Sequence, residues 1–97
     1  MTTYFVTRHA GAREWAAAEG VPVDALLDHL DMAIVQPGDT VIGSLPVHLA
    51  GAVCARGARY LHLVLELPPG MRGRELSAGD MRACGARLEA YEVRLVE

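Results

Sequence analysis

Three short segments of this sequence carry groups suited to a phosphate: Arg8 with His9; Gly43, Ser44 and Leu45 followed by His48; and Arg72 with Arg74. An arginine presents a planar fork that grips phosphate oxygens with two hydrogen bonds at once. A histidine can pass a proton near neutral pH. The run Gly38-Asp39-Thr40-Val41-Ile42-Gly43-Ser44-Leu45-Pro46 reads as a buried strand, a small-residue turn and a helix start. Gly43 lets backbone bend or approach a ligand closely, Ser44 adds a hydroxyl, and Pro46 suits a first helical position because it has no N–H to leave unpaired. Such a junction aims free N–H groups and a positive helix end at whatever lies above the strand tips.

Each of these residues also has a plainer role open to it. Arg8 can pair with a surface carboxylate and His9 can fill a turn. Ser44 can cap the helix that follows. His48, one helical turn after Ser44, can face the same pocket or solvent. His62 reads as a satisfied core histidine in mid-strand. Asp24, Asp28 and Asp31 read better as a solvated helix face than as an acidic metal edge. No His-Glu-x-x-His, paired Cys-x-x-Cys or Walker loop occurs, so neither a metal nor another cofactor is expected.

The elements that must position these groups alternate between strand and helix. Strands are expected over 4–8, 40–44, 59–67 and 91–96; in 24–30, Leu26, Leu27 and Leu30 fit a helical face while the length also fits a short strand, and a strand near 25–29 is the preferred reading. Helices are expected over 12–19, closed by Gly20; over 47–56, closed by Gly57; and from Leu76 or Ser77 to about 90. Ser77 with Asp80 has capping-box spacing, with Asp in place of Glu or Gln. The 60–65 run, Tyr-Leu-His-Leu-Val-Leu, is apolar on both faces, as in a central parallel strand. The alternation predicts a mostly parallel α/β sheet with helices on both faces, in one domain spanning 1–97. Ligands of such sheets sit beyond the carboxyl ends of the strands, where Arg8, His9, Gly43, Ser44, Leu45 and the Arg72/Arg74 loop would lie.

Bulk composition narrows the partners. The chain has 97 residues, 52% of them apolar, and a formal charge of −3, which excludes a disordered tail. All nine basic residues are arginine, and they form no long basic run, so long duplex is not an expected partner. No apolar run is long enough to cross a membrane, and residues 1–6 lack a charged leader. Cys54 and Cys84 fall in expected helices without metal spacing and read as reduced, buried and cytoplasmic.

Together the groups permit metal-independent work on an RNA phosphodiester. A ribose 2′-OH attacks its own neighbouring phosphorus and leaves a cyclic phosphate. The protein must hold that hydroxyl in line, which is worth about 7 kcal/mol or more in ideal cases, and stabilise charge on the phosphoryl oxygens. Arg8, Ser44 and the amides after Gly43 are groups of the right kind.

Five stretches carry a resemblance that covers nearly the whole chain: Tyr4-Phe5-Val6-Thr7-Arg8-His9 with Gly11, Glu14 and Trp15; His29-Leu30-Asp31; the Gly38 to Val47 run; Cys54-Ala55-Arg56-Gly57-Ala58-Arg59-Tyr60; and Arg72-Gly73-Arg74-Glu75-Leu76-Ser77. In these the chain resembles the small stand-alone accessory proteins of type III CRISPR systems, the Csx family numbered sixteen. The resemblance implies a ring nuclease that opens cyclic tetra-adenylate, the messenger made by type III complexes on detecting foreign RNA. The fold implied is a small three-layer Rossmann-like domain related to the messenger-sensing CARF domains, working as a homodimer. A non-catalytic sponge or sensor for the same messenger is the alternative. The family pattern has threonine where Ser44 stands, which keeps the hydroxyl, and asparagine where His48 stands, which exchanges an amide for an imidazole.

Overall fold

The computed structural model describes residues 1–71 and 73–97. Five strands form one sheet: β1 (Thr3–Val6), β2 (Ala25–Leu27), β3 (Thr40–Gly43), β4 (Arg59–Val64) and β5 (Arg87–Tyr91). Their order is β2-β1-β3-β4-β5; the first four run parallel, and β5 pairs antiparallel with β4. The helices are α1 (Ala10–Ala18), α2 (Val47–Ala55) and α3 (Ala78–Ala83). The expected α/β, mostly parallel, Rossmann-like sheet flanked by helices is the observed one.

The three layers follow from strand alternation. Phe5, Ile42 and Leu63 point to one face and pack with Ala12, Trp15 and Ala16 of α1 and Met81 of α3. Val41 and Tyr60 point to the other, against Ala50 and Val53 of α2. Small residues on the inner faces of α1 and α2 bring the helices close to the sheet.

All three helices stop in the same way. The N–H groups of Gly20 and Val21, Gly57 and Ala58, and Gly85 and Ala86 bond back to carbonyls three and five residues earlier, and each glycine has φ between 72° and 82°. This is the Schellman motif, whose left-handed position favours glycine. It corrects the expected helix to about 90. Gly85 ends α3 after Ala83 and Cys84, and the closing strand is 87–91 rather than 91–96. The capping box at the start of α3 is present as expected: Ser77 Oγ accepts the Asp80 N–H, and Asp80 accepts the Ser77 N–H. Residues 24–31 hold β2 and lead into a 3₁₀ turn (Met32–Ile34), not a helix face. Asp24 accepts the Thr3 N–H, Asp28 meets Arg13 at 2.6 Å, and Asp31 caps the turn.

Asp39 is the buried acid of the fold. Its two carboxylate oxygens accept the N–H groups of Thr2 and Gln36, both at 2.9 Å, and join the strand-β1 entry to the start of β3. The Thr2 N–H bond first, then that from Gln36, holds its carboxyl below the ordinary carboxylate value. A lowered acid stabilises the fold fully above its unfolded pKa, and that contribution is lost as pH falls through the folded value. Asp39→Asn keeps only one acceptor for two N–H groups. It should lower the melting temperature by about 5 °C or more at pH 7. In melts run from pH 7 down to 2.5, the gap from wild type should begin to close below about pH 4.

Candidate functional site

The strand order contains a switch point. From β1 the chain moves outward to β2, then returns across β1 to place β3 on the other side. After β1 it enters α1 on one face of the sheet; after β3 it enters α2 on the opposite face. The two connections part above the carboxyl ends of β1 and β3, and it is in the crevice at such a switch point that open α/β sheets take ligands.

Both walls of the crevice end in helix N-termini without side-chain caps. His9 is the N-cap of α1 and Pro46 the N-cap of α2, so Pro46 precedes the first helical position. The expected Ser44 cap is not formed. Ser44 is exposed, and its hydroxyl donates to the Leu63 carbonyl at 3.0 Å, tying the end of β3 to β4. Gly43 ends β3 in a buried position, and what approaches it is the β1 backbone. A Cβ there would lie 3.0 Å from the Val6 oxygen. The Leu45 N–H, one of the amides expected to face a phosphate, is occupied: it donates to Tyr60 Oη at 2.8 Å.

Arg8 lies exposed in the turn after β1, and it makes no hydrogen bond or ion pair among the described residues. His9 Nδ1 stands 3.2 Å from Glu75 Oε1. Their side chains are 71% and 69% exposed, so this contact is worth at most about 1 kcal/mol and yields readily to a ligand. Gly11, in the first turn of α1, lies directly under the Leu76 carbonyl. Segment 73–77 is therefore held against the α1 end of the crevice. Arg74 reaches Asp80 at 3.7 Å, at the head of α3. Arg72 lies outside the described residues. His48 is exposed on the first turn of α2 and lines an open groove of about 1080 Å³, shared with Val47, Gly51, Tyr91 and Val93. That groove runs along α2 beside the 90–96 tail. No hydrogen bond among the described residues joins His48 to Ser44.

Two residues at this edge escape a reading of spacing alone. Tyr60 and His62 are two apart on β4 and so share the α2 face. The Tyr60 side chain leans along the strand until its hydroxyl lies 3.0 Å from the Gly43 carbonyl and 2.7 Å from His62 Nδ1. His62 pairs in register with Gly43 and Glu89, and the Tyr91 ring stands edge-on to it at 6.0 Å. Burial pushes the Tyr60 phenol above its usual pKa, so it keeps its proton at neutral pH. The Tyr91 hydroxyl donates to Glu89, and this bond, with Arg87 second, holds the Glu89 carboxyl below its usual value. Among the described residues no group of three or more His, Cys, Asp or Glu side chains could hold a metal ion, and no helix is long and apolar enough to cross a membrane.

Residues 4–94 match the model of a protein family described as Putative CRISPR-associated protein (Cas_VVA1548). The chain belongs to this family. No curated protein and no solved structure matches it. The match takes in β2 to β5, all of β1 but Thr3, and the N-termini of α1 and α2, so the CRISPR association applies to the folded unit that carries the site.

Proposed function

We propose that this CRISPR-associated protein is a ring nuclease that opens cyclic tetra-adenylate, and so switches off type III antiviral signalling. The observation that carries the reading is the switch-point crevice, walled by two helix N-termini without side-chain caps and flanked by Arg8. Helix ends and an exposed guanidinium together favour a phosphodiester there. Family membership makes an RNA-derived messenger of a CRISPR system the phosphodiester to test.

In the proposed reaction a ribose 2′-OH attacks the adjacent phosphorus. Arg8 and the first amides of α1 and α2 stabilise the phosphoryl oxygens, and Ser44 joins them as a donor once its hydroxyl turns away from the Leu63 carbonyl. His9 is released from Glu75 when the ring enters. Arg74 holds a phosphate from the loop side, and His48 contacts the ring from α2. A ring of four identical nucleotides can carry two-fold symmetry, so two copies of the chain can present these groups to opposite halves of it. Incubation with cyclic tri-, tetra- and hexa-adenylate in EDTA, followed by chromatography, should show the tetramer converted to linear products. Loss of cutting in EDTA, restored by a divalent ion, would overturn the mechanism.

Arg8→Ala should lower turnover at least tenfold, about 1.4 kcal/mol of transition-state stabilisation, with an unchanged melting temperature. Full activity in that variant would remove Arg8 from the site. A second reading, sequestration without cutting, is favoured by one observation: the Ser44 hydroxyl and the Leu45 N–H are both spent on β4. Binding of the ring with no linear product would decide for it.

A further inference from the structure

The contacts of one hydroxyl set which ring nitrogen of His62 donates to it. Tyr60 Oη has one proton and three neighbours: the Leu45 N–H, the Gly43 carbonyl and His62 Nδ1. Only one arrangement makes all three hydrogen bonds. Oη accepts from Leu45, donates to Gly43 and accepts a second bond from His62. In the neutral imidazole the proton then sits on Nδ1, and Nε2 is the acceptor. His62 is half-buried, so its ring is held while still reaching solvent. It lies beside Gly43, the residue from which the Ser44–Leu45 rim departs.

We infer that His62 is the general base of this site, with Tyr60 as the residue that positions it. The inference rests on the proposed ring-opening reaction. His62 Nε2 takes the proton of the attacking 2′-OH as the 2′-oxygen–phosphorus bond forms. The phosphorus–5′-oxygen bond breaks, and the departing 5′-oxygen takes a proton from water. The products are a 2′,3′-cyclic phosphate and a 5′-hydroxyl, and the imidazolium returns its proton to solvent. The groups facing His62 are Tyr60 on its own strand and Glu89 and Tyr91 on β5, with Arg87 bound to Glu89 and Cys54 of α2 close to the Tyr91 carbonyl. His62 is thus held between β4 and β5 at the level of Gly43, the last residue of β3.

The test uses the full chain and cyclic tetra-adenylate in EDTA. His62→Asn retains a donor for Tyr60 but no base. It should lower kcat about 100-fold with little change in KM, and it should lose the acid limb of the pH–rate profile. His62→Ala should be partly restored by added imidazole. Tyr60→Phe should lower kcat about tenfold and displace that limb, whereas a purely structural tyrosine would change stability and leave the limb in place. If the histidine variants unfold, the wild-type profile still decides, since a profile without an acid limb overturns the inference. Cutting by wild type together with undiminished cutting by folded His62→Asn overturns this inference alone. A wild-type chain that leaves the ring intact overturns it along with the reading on which it rests.

Discussion

Cyclic tetra-adenylate methylated on every ribose 2′-oxygen should bind the protein and emerge uncut. The methyl group leaves the phosphates and bases in place and removes the nucleophile. If the attacking group belongs to the substrate, the protein contributes orientation and charge stabilisation, and no side chain at the crevice can replace what is lost. An internal nucleophile held in line is worth about 7 kcal/mol or more, so the rate should fall by about 10⁵-fold or more, below detection in a chromatographic assay. Calorimetry on the same material should still show binding, because in the proposed site Arg8 and the helix N-termini address phosphate oxygens that methylation does not touch. Linear product from the methylated ring would mean that water or a side chain attacks the phosphorus.

Gly11→Val should have the next largest effect, and it acts through backbone. The α-carbon of Gly11 sits under the Leu76 carbonyl, and the atoms that a side chain would strike there are main-chain atoms of 76 and 77. A flexible side chain could swing aside; this segment cannot, because Ser77 and Asp80 lock it to the head of α3. Either α1 shifts or segment 73–77 lifts away. Overpacking of this kind costs about 2 kcal/mol or more, which lowers the melting temperature of a chain this size by about 10 °C. Lifting the segment also parts Glu75 from His9 and removes one side of the crevice, so ring binding should weaken together with stability. A Gly11→Val protein with wild-type melting and binding would show that the loop does not rest on α1.

The strands and the first two helices were legible in the sequence because their signals are local. Apolar runs such as 40–43 and 60–65 can only be buried on both faces, and Gly20 and Gly57 mark helix ends. Gly85 carries the same signal and lies within the stretch expected to be helix. The Ser77–Asp80 start and the alanines that follow favour a long helix, but the left-handed turn at Gly85 ended it after Ala83. The position of the rim was legible too, since strand polarity alone puts Arg8 and Ser44 at the carboxyl edge. What each group does there was not, because hydrogen-bond partners come from distant strands. Ser44 is bonded to Leu63, nineteen residues away, and Leu45 to Tyr60, fifteen away. His62 looked like core because its neighbours Leu61 and Leu63 are apolar. The hydroxyl that orients it comes from two residues earlier and reaches it only after that side chain leans along the strand.

The antiparallel seating of β5 has a consequence for synthesis. Until Arg87–Tyr91 arrives, β4 is an edge strand, with unpaired N–H and C=O groups along a segment flanked by apolar side chains on both faces. Among the described residues, no strand N-terminal to residue 87 pairs with that edge. The nascent chain therefore carries a template for intermolecular strand addition through the making of α3, until β5 covers it. Chaperone dependence and inclusion-body formation in this protein should accordingly track how quickly the ribosome passes from Val64 to Tyr91, rather than the stability of the finished fold.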